Sequence, residues 1–199
     1  MSVSDGKWAA WTSYGPVLSQ VELHMLKRKL EINPVLANTH GSFRLVFNMV
    51  TGRVTRLSHD SRDSEHSFDA RGEPATLPRV EQLLIITPLS PWCTTVNNSK
   101  GVTVGDVCAH LWRDYTDQLV TEAEFNSLPP QIQEDVKQVA TRNPSVDGMY
   151  HSVPVTNQVR RVDWLRECVF FEALRKDDDY TVSRFGFKSP NVFVMDLLN

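Results

Sequence analysis

A chain of 199 residues that is 41% hydrophobic and 23% charged carries enough apolar side chain to offset its chain entropy by burial, which argues against global disorder and against two full domains. Its formal charge of −3, from 21 basic and 24 acidic residues, gives the whole molecule no electrostatic pull toward nucleic acid or an anionic membrane, although a local patch stays open. Cys93, Cys108 and Cys168 are odd in number and far apart, which speaks against a disulfide framework or a zinc knuckle and for a reducing, cytoplasmic compartment.

The first residues, MSVSDGKWAAWTSYGP, hold Asp5 and Lys7 early and lack the apolar run of a secretion signal. The longest apolar stretches, such as Leu83 to Ile86, are far short of the roughly 20 residues that span a bilayer. Asn97-Asn98-Ser99 is formally a glycosylation sequon, discounted in a chain with no readable signal peptide.

In chain order, residues 17 to 31 place Val17, Val21, His24, Met25 and Leu26 near one face, predicting a helix that ends before Asn33-Pro34. Residues 42 to 49 and 54 to 58 read as strands around the turn Thr51-Gly52-Arg53. Residues 59 to 78 are polar and broken by Gly and Pro, a loop. RVEQLLIITP at 79 to 88 is a proline-bounded buried strand, and WCTTV at 92 to 96 another, closed by the turn-forming cluster at 97 to 101. Thr103 with Asp106 and Thr121 with Glu124 place a hydroxyl and, three residues on, a carboxylate, so a helix begins at each. Val104, Val107, Cys108, Leu111, Trp112 and Tyr115 give the first an apolar face. In the second region Pro129 and Pro130 separate a short turn from a helix through Ile132, Val136 and Val139, ended by Asn143-Pro144. After an irregular stretch to 158, a short helix or turn is expected at 162 to 165, strands near 168 to 171 and 180 to 187, and a last strand at 191 to 197.

These elements make an α+β domain: a mostly antiparallel β-sheet interrupted by two consecutive helices. Residues 1 to 31 form an N-terminal helical arm and residues 32 to 199 the domain. The pieces INPVLAN with the strand LVFNM, GEPATLPRVEQLLIITPLSPWCTTVNNSKGVTVGDV, LVTEAEFNSLP and RRVDWL, in that order and spacing over about residues 32 to 197, resemble the DUF6699 domain, a group of uncharacterised proteins abundant in mushroom-forming fungi. The resemblance implies a fold and a fungal source, and supplies no catalytic residues. The chain departs from the pattern near its end. A compact glycine-containing turn and a Trp-bearing last strand are expected there, and this sequence has Phe193 and a longer connection.

Several residue sets are chemically competent. His59, Asp60, Asp63, Glu65, His66 and Asp69 supply metal-ligand types, but at no rigid motif spacing, and a solvated acidic loop explains them better. A cysteine nucleophile with His110 or His151 lacks local support, because the thiols fall on a helix face and in strand-like runs. Asp60-Ser61 and Asp63-Ser64 lack the GxSxG of a nucleophile elbow. Asp177-Asp178-Asp179 reads as a solvated turn between two strands. Arg160, Arg161, Asp163 and Trp164 form the most suggestive set, since guanidinium groups grip anions and an indole stacks on ligands; the competing reading is an Arg-Asp clamp with Trp164 in the core. Trp8 and Trp11, three apart, either pack on their own domain or dock on a partner or a neighbouring subunit.

With no phosphate loop or dinucleotide fingerprint at a plausible position, no cofactor and no metal are expected. The favoured class is a non-enzymatic binding or protein-interaction module, with a protein partner or self-association through the arm. The alternative is an enzyme or small-molecule carrier whose pocket assembles from distant segments. Neither nucleic acid nor membrane is an expected partner; Lys27, Arg28 and Lys29 are too few for the former.

Overall fold

The computed structural model describes residues 5–9, 14–58, 69–143 and 159–199. Among these residues the strands β1 (Glu31–Ile32), β2 (Phe43–Asn48), β3 (Val54–Ser58), β4 (Thr76–Leu77), β5 (Gln82–Ile86), β6 (Cys93–Asn97), β7 (Phe170–Arg175) and β8 (Val192–Leu198) are joined by α1 (Gln20–Met25), α2 (Val104–Thr116), α3 (Glu122–Asn126), α4 (Pro130–Arg142), α5 (Arg161–Trp164) and α6 (Asp178–Phe185). The class is α+β. Among the described residues no helix is long and apolar enough to cross a membrane.

The main sheet has the order β3-β2-β7-β8-β5-β6 and is mixed: β5 and β8 run parallel, while every other pair in it is antiparallel. Alternation sorts its side chains. Leu83, Ile85, Phe47, Phe171, Phe193 and Met195 point to one face, where Val104, Val107, Cys108, Leu111 and Tyr115 of α2 complete the main core. Ile86, Val192 and Val194 point to the other and are covered by Tyr180 and Phe185 of α6.

The capped helices form for the reasons their spacing implies. Asp106 N donates to Thr103 Oγ1 at 3.1 Å while Thr103 N donates to Asp106 Oδ2 at 2.9 Å; Thr121 and Glu124 repeat the exchange at 3.3 and 2.8 Å. Burial alone raises the Asp106 carboxyl, but donors from Asn98 and Thr103 hold it below its ordinary range. Gly52, at φ 68, turns β2 into β3 beneath Trp112. A Cβ there meets the indole at 2.7 Å, so only glycine fits.

Three elements differ from expectation, the first being β4, which lies inside the stretch 59 to 78 read as loop and pairs with β1. Of residues 180 to 187, read as a strand, 180 to 185 lie in α6. Asp177 accepts from Tyr180 N at 2.9 Å as its N-cap, Thr181 is fully buried, and Gly186, at φ 81, closes the helix. Asp177-Asp178-Asp179 is therefore the start of a helix and not a turn between strands. The predicted helix over 17 to 31 shortens to α1, capped by Ser19 and stopped where Lys27 turns left-handed at φ 48. Only Leu23 of that helix is buried.

One joint shapes the surface. β2 pairs with β7 only at Phe47↔Phe171 and Asn48↔Phe170, and beyond that the strands diverge. The segment after β1 fills the wedge: Leu174 N donates to Leu36 O at 2.7 Å and Asn38 Nδ2 to Glu172 O at 2.8 Å. Buried Asn33 sets that segment, donating to Pro74 O at 2.9 Å and accepting from Val35 N at 2.8 Å.

Candidate functional site

The set Arg160, Arg161, Asp163 and Trp164 divides in two. At the first position of α5, Arg161 reaches across to α2, where Nη1 donates to Asp114 Oδ1 at 2.7 Å, and its guanidinium lies 4.8 Å from the centroid of the Trp92 ring. Thr94 Oγ1 donates to the other Asp114 oxygen at 2.5 Å. Trp92 meets Trp164 edge-on at 5.0 Å and donates through Nε1 to Glu124 Oε1 at 2.7 Å, while Trp164 Nε1 donates to Leu89 O at 3.0 Å. The Thr121 backbone N–H first, and then the Trp92 indole, hold Glu124 below the usual carboxylate range against the effect of burial.

Arg160 and Asp163 face the other way. Asp163 is 1% exposed; it accepts from Arg160 N at 2.9 Å and from Asn143 Nδ2 at 3.2 Å, with Arg160 Nε 3.6 Å away. Arg160 Nη2 donates to Asn143 O at 2.8 Å. This pair ties α4 to α5.

Segment 87–92, which carries Trp92, is held from the opposite side by α6. Arg184 donates to Thr87 O, Ser90 O and Trp92 O at 3.1 to 3.3 Å. Beneath it, Ser90 Oγ and Tyr115 Oη lie 2.7 Å apart, and burial pushes the Tyr115 hydroxyl up to about 12.

Trp8 is buried, with the Lys7 ammonium 5.5 Å from its ring. Trp11 lies outside the described residues, as do residues 59 to 68 of the acidic histidine loop, and His151. Asp69 opens a short 3-10 turn. Among the described residues no group of three His, Cys, Asp or Glu side chains is arranged to hold a metal. His110 Nδ1 sits 2.8 Å from Asp106 O, within its own helix. Burial pushes the Cys108 thiol up to about 12 and raises Cys93 despite Arg184 nearby, so both are protonated near neutrality. Cys168 Sγ donates to Asn199 Oδ1 at 3.0 Å.

A second region was not singled out from the sequence. Where β2 and β7 diverge, a cleft of about 650 Å³ opens between the 37–40 segment, β2, β7 and β8. Its charged walls are Arg44, 3.7 Å from Glu172, and Arg175, which donates to Asp196 at 2.8 Å and to Asp177; the His40 ring packs 4.2 Å from Phe43. The alternation of Arg44 between Phe43 and Leu45 put these charges on the face away from the core. The cleft itself depends on how β2 and β7 separate.

Comparison with family models matches residues 45–181 to DUF6699, a family of unknown function. The chain belongs to the DUF6699 family. The match runs from β2 into α6 and takes in Trp92, Asp114, Glu124 and the whole Arg160–Trp164 set. The 37–44 wall of the cleft, the last half of α6 and β8 lie beyond it. Neither curated proteins nor solved structures give a match.

Proposed function

We propose that this DUF6699 chain is an intracellular binding module without catalytic chemistry of its own, and that it takes an extended segment of a protein partner in the cleft between β2 and β7. The observation that carries this reading is the cleft, about 650 Å³, whose walls hold charges of both signs paired at an accessible rim. Arg44 and Glu172 are 46% and 40% exposed, and such pairs contribute only about 0–1 kcal/mol to a fold. Exchanging them for pairs with a segment of mixed charge therefore costs the domain little. Protonated Cys93 and Cys108 thiols support a non-catalytic reading, and three unpaired cysteines support a reducing compartment.

The test is to pan a displayed library of random peptides against the chain and titrate the selected sequences by calorimetry. Selected peptides are expected to carry both charge signs and to weaken about fivefold on Arg44→Glu or Glu172→Arg. Peptides indifferent to both changes but sensitive to Trp164→Ala would move the site to the Trp92 cluster and overturn the assignment. A second reading, a small-molecule carrier, draws on the cleft volume, which falls within the roughly 300–1,000 Å³ of ligand pockets. A thermal-shift screen of charged metabolites that stabilises the wild type and not Glu172→Arg would favour it.

A further inference from the structure

Lys27, Arg28 and Lys29 gain meaning from what stands beside them. Val21, Met25 and Leu26 are 67%, 76% and 54% exposed, so three large apolar side chains stand in solvent within six residues. Val21 and Met25 share a helix face at i and i+4, and Leu26 follows at the C-cap of α1. The left-handed Lys27 then ends the helix, so the three exposed cations follow directly after the apolar side chains.

Among the described residues nothing neutralises those cations. Lys27, Arg28 and Lys29 make no side-chain hydrogen bond or ion pair among the described residues. The nearest acids in sequence are engaged elsewhere: Glu22 accepts from Ser19 N and Oγ at 2.9 and 2.7 Å, and Glu31 pairs with Lys7. The protrusion is also held firmly. Leu18 N donates to Arg79 O and Glu81 N to Leu18 O, at 2.9 and 3.0 Å, and Leu23 is anchored in the core.

We propose that this α1 protrusion is a docking surface for an anionic lipid bilayer, entering the interface with Val21, Met25 and Leu26 while Lys27, Arg28 and Lys29 meet the headgroup charge. This goes beyond the cleft and does not depend on it. Three competing occupants fit less well. A two-fold contact with a second copy sets the basic trio near its own image. Nucleic acid satisfies the cations but leaves the apolar side chains nothing to bury against, and the protrusion offers no Phe, Tyr or Trp for base stacking, only the small ring of His24. An acidic protein would need a groove matched to three exposed apolar side chains and three cations together, whereas a fluid interface takes both without matching.

The experiment is flotation of the full chain with vesicles of phosphatidylcholine alone and of phosphatidylcholine mixed with phosphatidylserine. Binding is expected only to the mixed vesicles and is expected to fade with salt, as the screening length falls from about 10 Å at 0.1 M to about 3 Å at 1 M. Reversing Lys27, Arg28 and Lys29 to Glu is expected to weaken it by about a hundredfold or more, at about fivefold for each positive charge removed. Met25→Ser with Leu26→Ser is expected to weaken it independently while leaving the melting temperature unchanged. Equal binding to both vesicle types, or binding indifferent to salt, overturns the proposal without reference to any variant. Binding of duplex DNA or polyglutamate through the same three cations, with none to vesicles, overturns it in favour of an acidic macromolecule.

Discussion

The surroundings of Trp92 and the cleft between β2 and β7 are built from the same materials, arginines, carboxylates and aromatic rings, and use them oppositely. Around Trp92 the polar groups turn toward one another: Arg161 to Asp114, Asp114 to Thr94, Trp92 to Glu124, and Arg184 to three carbonyls. In the cleft the pairs Arg44–Glu172 and Arg175–Asp196 lie at the rim, 32% to 46% exposed. A buried polar group left unpaired costs several times what an exposed pair contributes. The first arrangement therefore holds helices to the sheet, and the second leaves groups free to change partners. Residue type does not separate these two arrangements; burial does.

Trp92→Ala is expected to cost about 3–5 kcal/mol in urea unfolding, because it empties the space shared by Arg161, Tyr115 and Trp164. Asp163→Ala should follow at about 2–3 kcal/mol, since the Arg160 and Asn143 donors lose a buried acceptor; a loss under about 0.5 kcal/mol would move this pair into the class of the rim.

Alkaline titration sharpens the same contrast. Cys108 and Tyr115, raised to about 12 from unfolded values of 9.0 and 10.0, keep their protons in the folded state after the unfolded chain has released them. Stability is fully present below pH 9 and is expected to fall above it by about 1.4 kcal/mol per pH unit, and about twice that between pH 10 and 12. Denaturant midpoints across that range, with Cys108→Ala flattening the first part of the fall, measure it.

Smaller effects follow. Arg161→Lys keeps the charge beside Asp114 but loses the planar stack on Trp92, an expected cost of about 1 kcal/mol by thermal unfolding. Arg44→Ala and Glu172→Ala are each expected to stay within about 0.5 kcal/mol of the parent chain in the same measurement. A larger loss would make the cleft part of the scaffold.

Local chemistry was legible from the residues alone. Thr103 and Thr121 begin helices because a hydroxyl and a carboxylate three residues on satisfy the first backbone donors wherever the chain lies. The strands at β2, β5, β6 and β8 follow from β-branched and aromatic runs. The misreading of α6 has the same root. Tyr180, Val182, Phe185 and Phe187 have the composition of a strand, and only the cap by Asp177, the closure by Gly186 and the shelter over Ile86, Val192 and Val194 decide for a helix. The Arg160–Trp164 set was visible as a cluster in sequence, yet successive residues on one helical turn face different ways, so it divided between Asn143 and Trp92.

By itself, then, the sequence determined the α+β class, the family, the capped helices and the strands of the core, because caps and hydrophobic periods act within a few residues of chain. Tertiary structure alone decided the parallel pairing of β5 with β8, the divergence of β2 from β7 that opens the cleft, the burial of Asp163 and the exposure of Met25 and Leu26. Each of these depends on which distant segments meet, and no local spacing encodes that.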